Sequence, residues 1–195
     1  MKTNKTFLAL STGLTLGALV LTGAPAQAQP QGLDISKVAL NLAFQPGPRT
    51  PGQMKLRGVV DDNDTEGLVA DLLTNTVTVQ VQDTSGFDTT ATLTGCVQKN
   101  AAVVCNDDSS GFRVRAHVKR WKNLPDVWRL NVRVKDLTEL ETGFGPLAGP
   151  VTITLSHGAT VRTDVIAQTG GNEGDCKVKK NGARLRCKSK SKKNN

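Results

Sequence analysis

The residues best able to do chemistry in this chain are the cations and cysteines near its C-terminus. Residues 176–195 contain nine Lys or Arg and no Asp or Glu, and Cys176 and Cys187 enclose an Asn-Gly dipeptide. Clustered cations bind phosphates or carboxylates by releasing their counterions. A disulfide between the two cysteines would hold several of these cations in one place. The segment thus has two possible roles, binding an anionic partner or closing the chain with a solvated tail.

The Asn-Gly dipeptide favours a two-residue β-hairpin, because a type I′ turn needs positive φ at both central positions. Folding the segment about this dipeptide sets Cys176 opposite Cys187 with no register shift. Residues directly opposed across two strands can be joined by a disulfide. The same arithmetic, applied to residues 96–105, sets Cys96 opposite Cys105. We therefore predict two disulfides, one within each hairpin.

In the C-terminal hairpin, alternate side chains share a face, so four cations should lie together and away from the disulfide. The lysines that follow have the composition of a disordered basic arm. The predicted anion-binding residues are Lys177, Lys179, Arg184, Arg186, Lys188, Lys190, Lys192 and Lys193. The expected partner is an anionic polymer or surface: an envelope polysaccharide, lipid head groups or extracellular nucleic acid. The alternative is a solvated tail that aids solubility or secretion.

The N-terminal residues are typical of an export signal. Lys2 and Lys5 supply positive charge, residues 7–21 are mainly apolar, and Ala26-Gln27-Ala28 suits signal-peptide cleavage. We predict a cleaved signal peptide over residues 1–28 and a secreted protein, either periplasmic or extracellular. Four cysteines in an exported chain favour disulfides over a metal site. The remainder of the sequence predicts no transmembrane segment.

Positive charge is unevenly distributed along the chain, whose net charge is +8. Of the 25 basic residues, two lie in residues 1–28, nine in 176–195 and 14 between them, together with all 17 acids. The intervening part therefore has a net charge of −3, which assigns the basic character to the C-terminal end.

Apolar and polar residues alternate with period two from residue 37 almost to the end, which predicts strands with one buried face. Short strands separated by Gly, Pro and Asp clusters predict an all-β fold, an immunoglobulin-like β-sandwich of about 7–9 short strands over residues 29–167. Residues 168–175 are predicted to form a linker, 176–187 the disulfide hairpin and 188–195 the disordered basic tail. Helix is expected only as short turns near 66–73 and 136–141.

Two of these strands have a basic outer face, and we expect an ordinary solvated surface there, partly offset by nearby acids. Its members are Arg113, Arg115, His117, Lys119, Arg129, Arg133 and Lys135.

Other polar clusters have simple structural explanations. Asp83 to Gly86 and Asp108 to Gly111 are typical of type I turns, with Asp first and Gly fourth. The acidic loop from Asp61 to Glu66, counted from Asp62, resembles a calcium loop, but the twelfth position is Leu73 instead of Glu, so a solvated loop is favoured. Neither histidine has ligands at zinc spacing. The sequence predicts no cofactor, no metal site and no catalytic residues.

We therefore expect an exported, non-enzymatic bacterial envelope or extracellular protein that binds an anionic polymer or surface through its C-terminal hairpin and tail. The alternative is a structural or assembly β-sandwich that contacts a protein partner, while the tail is only solvated.

Overall fold

The computed structural model describes residues 32–41, 52–62, 67–108, 113–121, 124–137, 146–167, 175–179 and 181–189. These residues form an all-β structure with one short helix, as the alternation predicted. The elements are β1 Leu33–Asn41, β2 Gly52–Asp61, α1 Leu68–Thr74, β3 Val77–Asp83, β4 Asp88–Leu93, β5 Cys96–Lys99, β6 Ala102–Asp107, β7 Arg113–Trp121, β8 Leu124–Leu137, β9 Val151–His157, β10 Thr160–Ile166, β11 Asp175–Lys179 and β12 Arg184–Lys188.

The strands form two antiparallel sheets. The large sheet has eight strands in the order β11-β12-β1-β2-β8-β7-β6-β5, and the small sheet has four in the order β10-β9-β3-β4. Each sheet buries one face, and the buried side chains of both belong to one aliphatic core. Leu40, Leu56 and Val132 from the large sheet and Val79 and Leu155 from the small one are almost fully buried. Burial contributes roughly 1.5–3 kcal/mol for each such side chain.

A bulge in β1 keeps both halves of that strand facing the core. The register with β2 shifts between Ile35 and Lys37, so Ser36 is the extra residue and Ile35 and Val38 are both buried. Gly58 lies opposite Ile35, and a Cβ there would stand 2.6 Å from the Asp34 carbonyl oxygen. Glycine at this position thus permits the close backbone approach.

The described residues form more strands before the C-terminal hairpin than the sequence predicted for the whole sandwich. Ten strands lie between Leu33 and Ile166, instead of 7–9, because the hairpin of Cys96 and Cys105 adds β5 and β6 to the sheet. One of the two expected helical turns is present, as α1. Of the other, expected over 136–141, Asp136 and Leu137 instead continue strand β8, and residues 138–141 lie outside the described residues.

The C-terminal hairpin also belongs to the large sheet. β12 pairs with β11 on one side and with β1 on the other, and Leu185 and Cys187 are fully buried in the shared core. The sequence predicted a hairpin that follows the sandwich after a linker. Pairing with β1 makes it the edge of the sheet, because the exposed backbone groups of β1 accept a further strand.

Both predicted disulfides are confirmed, Cys96–Cys105 and Cys176–Cys187. No described cysteine is free. Two disulfides indicate an oxidising environment, extracellular or periplasmic. Among the described residues, no helix combines the length and the apolar composition needed to cross a bilayer.

The turn predicted at Asp83 is confirmed. Its carboxylate accepts hydrogen bonds from the amides of Ser85 and Phe87, at 2.8 and 3.0 Å, and a third from the amide of Ala148. The second copy of this motif lies mostly outside the described residues.

Candidate anion-binding site

The Asn-Gly turn folds the C-terminal hairpin in the predicted register. Asn181 and Gly182 have φ values of 51° and 89°, both in the left-handed region that a type I′ turn requires. Lys177 is paired with Arg186, and Lys179 with Arg184. Five of the predicted anion-binding residues are described, and they share the face of the hairpin opposite the disulfide. The other three, Lys190, Lys192 and Lys193, lie outside the described residues.

The cations of the hairpin form one end of a much larger surface. Pairing of β12 with β1 continues their face onto β1, β2, β8 and β7, where alternate side chains again point away from the core. We call these outward cations the basic face. Its members are Lys37, Lys55, Arg57, Arg113, Arg115, Lys119, Arg129, Arg133, Lys135, Lys177, Lys179, Arg184, Arg186 and Lys188.

Many cations of the basic face lie directly opposite one another. The opposed pairs are Lys177/Arg186, Lys179/Arg184, Lys188/Lys37, Lys37/Arg57, Lys55/Arg133, Arg133/Arg115, Lys135/Arg113 and Arg129/Lys119. Opposed like charges destabilise a sheet by roughly 0.2–1 kcal/mol each. The sum is a few kcal/mol, which is large beside the roughly 5–15 kcal/mol of a whole domain.

Lys37 shows the effect of this crowding. Partial burial lowers the pKa of its ammonium group, and the charges of Arg57, Lys188, Arg186 and Lys55 lower the pKa further. The neighbours that repel this lysine come from two other strands, so the repulsion results from the assembled sheet. A bound anion would relieve it.

Two carboxylates make ion pairs with the basic face in the described part of the chain. Asp136 contacts the Nε of Arg113, and Asp175 lies 3.7 Å from the Nζ of Lys177. The Arg113 pair is charged at neutral pH, because the hydrogen bond from Arg113 lowers the pKa of Asp136. The expected offset of the β7 and β8 cations by nearby acids is present at Arg113, whose pKa is raised by the hydrogen bond and charge of Asp136 and also by the charge of Asp108.

Four cations line a small pocket between β7 and β8: Arg113, Arg115, Arg133 and Lys135. Arg113 is opposite Lys135, and Arg115 is opposite Arg133. Side chains so placed start about 5 Å apart across the strands and about 7 Å apart along them. These dimensions suit one small oxyanion.

The side chains between the cations offer little apolar or aromatic surface. Ala39, Asn41, Gln53, Asn131 and His117 occupy outward positions in the same rows. The guanidinium of Arg129 stacks over the indole ring of Trp121, 4.0 Å from the ring centroid. Stacking of bases and insertion into lipid both need exposed aromatic or apolar groups. The chemistry of this face is therefore electrostatic.

A second polar cluster links α1 to β9, and of its members only His157 is buried. His157 Nδ1 is hydrogen-bonded to Asp71 Oδ2 at 2.9 Å, and the same carboxylate accepts from the side chain of Asn75 at 2.7 Å. His157 is 1 % exposed. The cluster joins α1 to β9, so His157 has a structural role. His117, the other histidine, is exposed on β7.

Of the acidic loop, only Asp61 and Asp62 are among the described residues. Asp62 is buried, where its carboxylate accepts from the Leu68 amide at 2.9 Å and lies 3.5 Å from Arg162. Burial raises the pKa of Asp62, while the Leu68 amide and Arg162 oppose that rise. Asp62 is thus engaged at the start of α1. Among the described residues, no group of three or more His, Cys, Asp or Glu could hold a metal ion.

Several cations of the basic face were not predicted as site residues. Lys55 and Arg57 alternate with apolar residues on β2, as do the cations of β7 and β8, so the sequence indicates an outward basic face on each strand. The sequence does not indicate the strand order, which joins those faces to the hairpin. Lys37 follows the β1 bulge, where simple alternation fails.

Comparisons with known proteins add no relative from which a function could be carried over. No family model matches the chain, and no curated protein or solved structure is significantly similar to it.

Proposed function

We propose that this is an exported, non-enzymatic envelope or extracellular protein that binds an anionic polymer or surface through the basic face. The C-terminal hairpin forms one end of that face, and the lysines after it, Lys190, Lys192 and Lys193, extend the positive charge. The two disulfides and the N-terminal export pattern support the location outside the cytoplasm.

One observation carries the proposal, the set of like charges directly opposed across six adjacent strands. A solvated face has no need for a single sign of charge, since alternating signs would be equally soluble and more stable. An anion that spans several strands turns the repulsion into attraction by releasing its own counterions. The body of the protein is proposed to be an immunoglobulin-like sandwich, which two antiparallel sheets around one aliphatic core support.

Replacement of two hairpin cations tests the proposal. Lys179→Gln with Arg184→Gln removes one opposed pair, and we expect the full-length variant to elute from phosphocellulose at clearly lower salt than the unaltered protein. The control is Thr90→Glu with Thr163→Glu, which changes the net charge equally but lies on the outer face of the small sheet. Equal shifts for both variants would show that net charge alone governs retention, which would contradict the proposal.

A further inference from the structure

The four-cation pocket differs from the rest of the basic face in having converging side chains. Across β12, β1, β2 and β8, opposed pairs alternate with Ala39, Asn41, Gln53 or Asn131, while the hairpin has two consecutive pairs for which no shared depression is observed among the described residues. Between β7 and β8, two opposed pairs follow one another at the two-residue spacing, and all four side chains line one depression. This is the geometry of a site for one group, in contrast to a diffuse charged surface.

A bulge sets the charge of this pocket. The register between β2 and β8 passes from Gln53/Lys135 to Gly52/Leu137, which leaves Asp136 as the extra residue with a φ of 60°. Its carboxylate contacts Arg113. Among the described residues, Arg115, Arg133 and Lys135 make no ion pair. Three of the four pocket cations are thus outside any ion pair, although the charge of Lys135 also acts on Asp136 and that of Asp108 on Arg113.

The charge and the donors of the pocket favour a phosphoryl group. A phosphomonoester carries a charge of roughly −1.5 to −2 at neutral pH and three strong acceptor oxygens. A carboxylate or sulfate ester supplies only one negative charge. Arginine guanidinium groups present paired N–H donors that match two phosphate oxygens at once. Two arginines and a lysine without carboxylate partners can therefore neutralise one phosphoryl dianion and hydrogen-bond its oxygens.

The pocket lies in line with the rest of the face. Arg115 and Arg133 belong to a row that crosses the strands to Lys55 and, beyond Ala39, to Arg186 and Lys177. Successive strands are about 4.8 Å apart, so this row provides cations at intervals that a linear polymer can follow.

A linear polymer fits this face better than a flat membrane. Neighbouring strands are rotated by about 20°, which amounts to roughly 100° across the six strands of the basic face. A flat bilayer could contact only part of such a twisted surface, whereas a flexible chain can follow it. The outward apolar side chains in the described rows include only small ones such as Ala39 and Val59, which give lipid little apolar surface for insertion.

From these observations we infer that Arg113, Arg115, Arg133 and Lys135 form a phosphoryl-binding pocket, which anchors a terminal or pendant phosphomonoester of a linear phosphate-bearing polymer laid across the strands. This inference rests on the proposed function, because it names the chemistry of the polymer and the position at which it is anchored.

Titration of the full-length protein with inorganic phosphate tests the pocket. Arg115→Gln with Arg133→Gln should weaken phosphate binding at least about tenfold, the loss expected for hydrogen bonds to a charged group. The matched control, Lys179→Gln with Arg184→Gln, removes an opposed pair at the hairpin end of the same face and should change phosphate affinity less than about twofold. Chemical-shift changes of β7 and β8 amides would report binding at the pocket.

A variant with higher affinity for phosphate provides a second test, because misfolding could not produce tighter binding. Asp136→Asn removes the carboxylate that competes for Arg113, and Asn tolerates the left-handed backbone of this position. We expect phosphate to bind this variant several-fold more tightly, because a fourth cation becomes available. Unchanged or weaker binding would overturn the assignment.

The polymer is tested with polyphosphate, dextran sulfate, polyglutamate and vesicles containing phosphatidylglycerol. Tightest binding to polyphosphate, reduced by both pairs of substitutions, supports the inference. Equal phosphate affinities of the pocket and hairpin variants, or tighter binding to sulfate, polyglutamate or vesicles, would overturn the phosphoryl pocket and leave the proposed function intact. If the unaltered protein bound none of the four probes, both the phosphoryl pocket and the proposed function would be overturned.

Discussion

Individual carboxylates in this protein have opposite effects on stability as pH changes. Asp71 accepts hydrogen bonds from Asn75 and from His157, and these bonds, the one from Asn75 first, lower its pKa below the ordinary value of 3.8. Burial raises the pKa of Asp62. Ionised Asp71 therefore stabilises the folded state above pH 3.8, while ionisation of Asp62 opposes folding. A measurement on the whole protein adds the two, so they must be separated with variants.

Asp71→Asn should lower the free energy of unfolding by about 1–2 kcal/mol at neutral pH, because the hydrogen bonds lose a charged acceptor. The contribution of Asp71 is complete above the unfolded pKa, near 4, and is lost as pH falls through the lower folded pKa. The difference in free energy of unfolding between the variant and the unaltered protein, measured by urea titration, should thus become smaller below pH 4. Asn75→Ala, which keeps the carboxylate, should retain part of that pH dependence. A gap that is constant from pH 7 to pH 3 would contradict the explanation.

Elements differ in how much of their structure could be predicted. The C-terminal hairpin could be predicted in full, down to the pairing of Cys176 with Cys187, because a two-residue turn fixes the register of both strands locally. The strand next to the hairpin in the sheet could not be predicted. β12 pairs with β1, some 150 residues away in sequence, and no local pattern specifies which strand edge accepts the hairpin. The basic face depends on that distant pairing, so its extent was missed although each strand's alternation was visible.

The turn of the hairpin is packed against the protein. The Leu147 amide donates to the Gly182 carbonyl at 3.0 Å, and a Cβ on Gly182 would lie 2.1 Å from the Cβ of Pro146. Cys187 and Leu185 are fully buried on the inner face. The hairpin cations are therefore held at a fixed position and orientation relative to the rest of the basic face.

Gly182→Ala tests this packing. Alanine at a φ of +89° costs about 1–2 kcal/mol in backbone strain, and the clash with Pro146 should add a further 1–3 kcal/mol, about the cost of overpacking. Gly86→Ala is the matched control, since Gly86 has a φ of +96° with nothing within 4 Å of the added Cβ. Urea unfolding measures the loss in free energy of unfolding for both variants. Equal losses in the two variants would mean that the turn makes no packing contribution.

At the scale of the whole molecule, charge is segregated by face and not only along the sequence. Residues 29–175 have a net charge of −3, yet β1, β2, β7 and β8 within them carry nine cations of the basic face. Asp71, Asp83 and Asp88 belong to α1 and the small sheet. A sum along the chain averages over the two faces of every strand and so conceals a one-sided field. Such a field attracts polyanions to one side of the molecule.

If the basic face acts as one surface, its centre and its hairpin end should contribute equally to the salt dependence of polyphosphate binding. Lys55→Gln with Arg57→Gln removes two cations from β2, outside the pocket, and Lys179→Gln with Arg184→Gln removes two from the hairpin. Each lost phosphate contact reduces the slope of log K against log salt by about 0.7–0.9. We therefore expect a decrease of roughly 1.4–1.8 for either pair and about twice that for the four substitutions together.

Thr90→Glu with Thr163→Glu should leave the slope unchanged, because these residues lie on the small sheet. A slope that falls with the hairpin pair but not with the β2 pair would show that the polymer contacts the hairpin alone, and the continuity of the face would then have no part in binding.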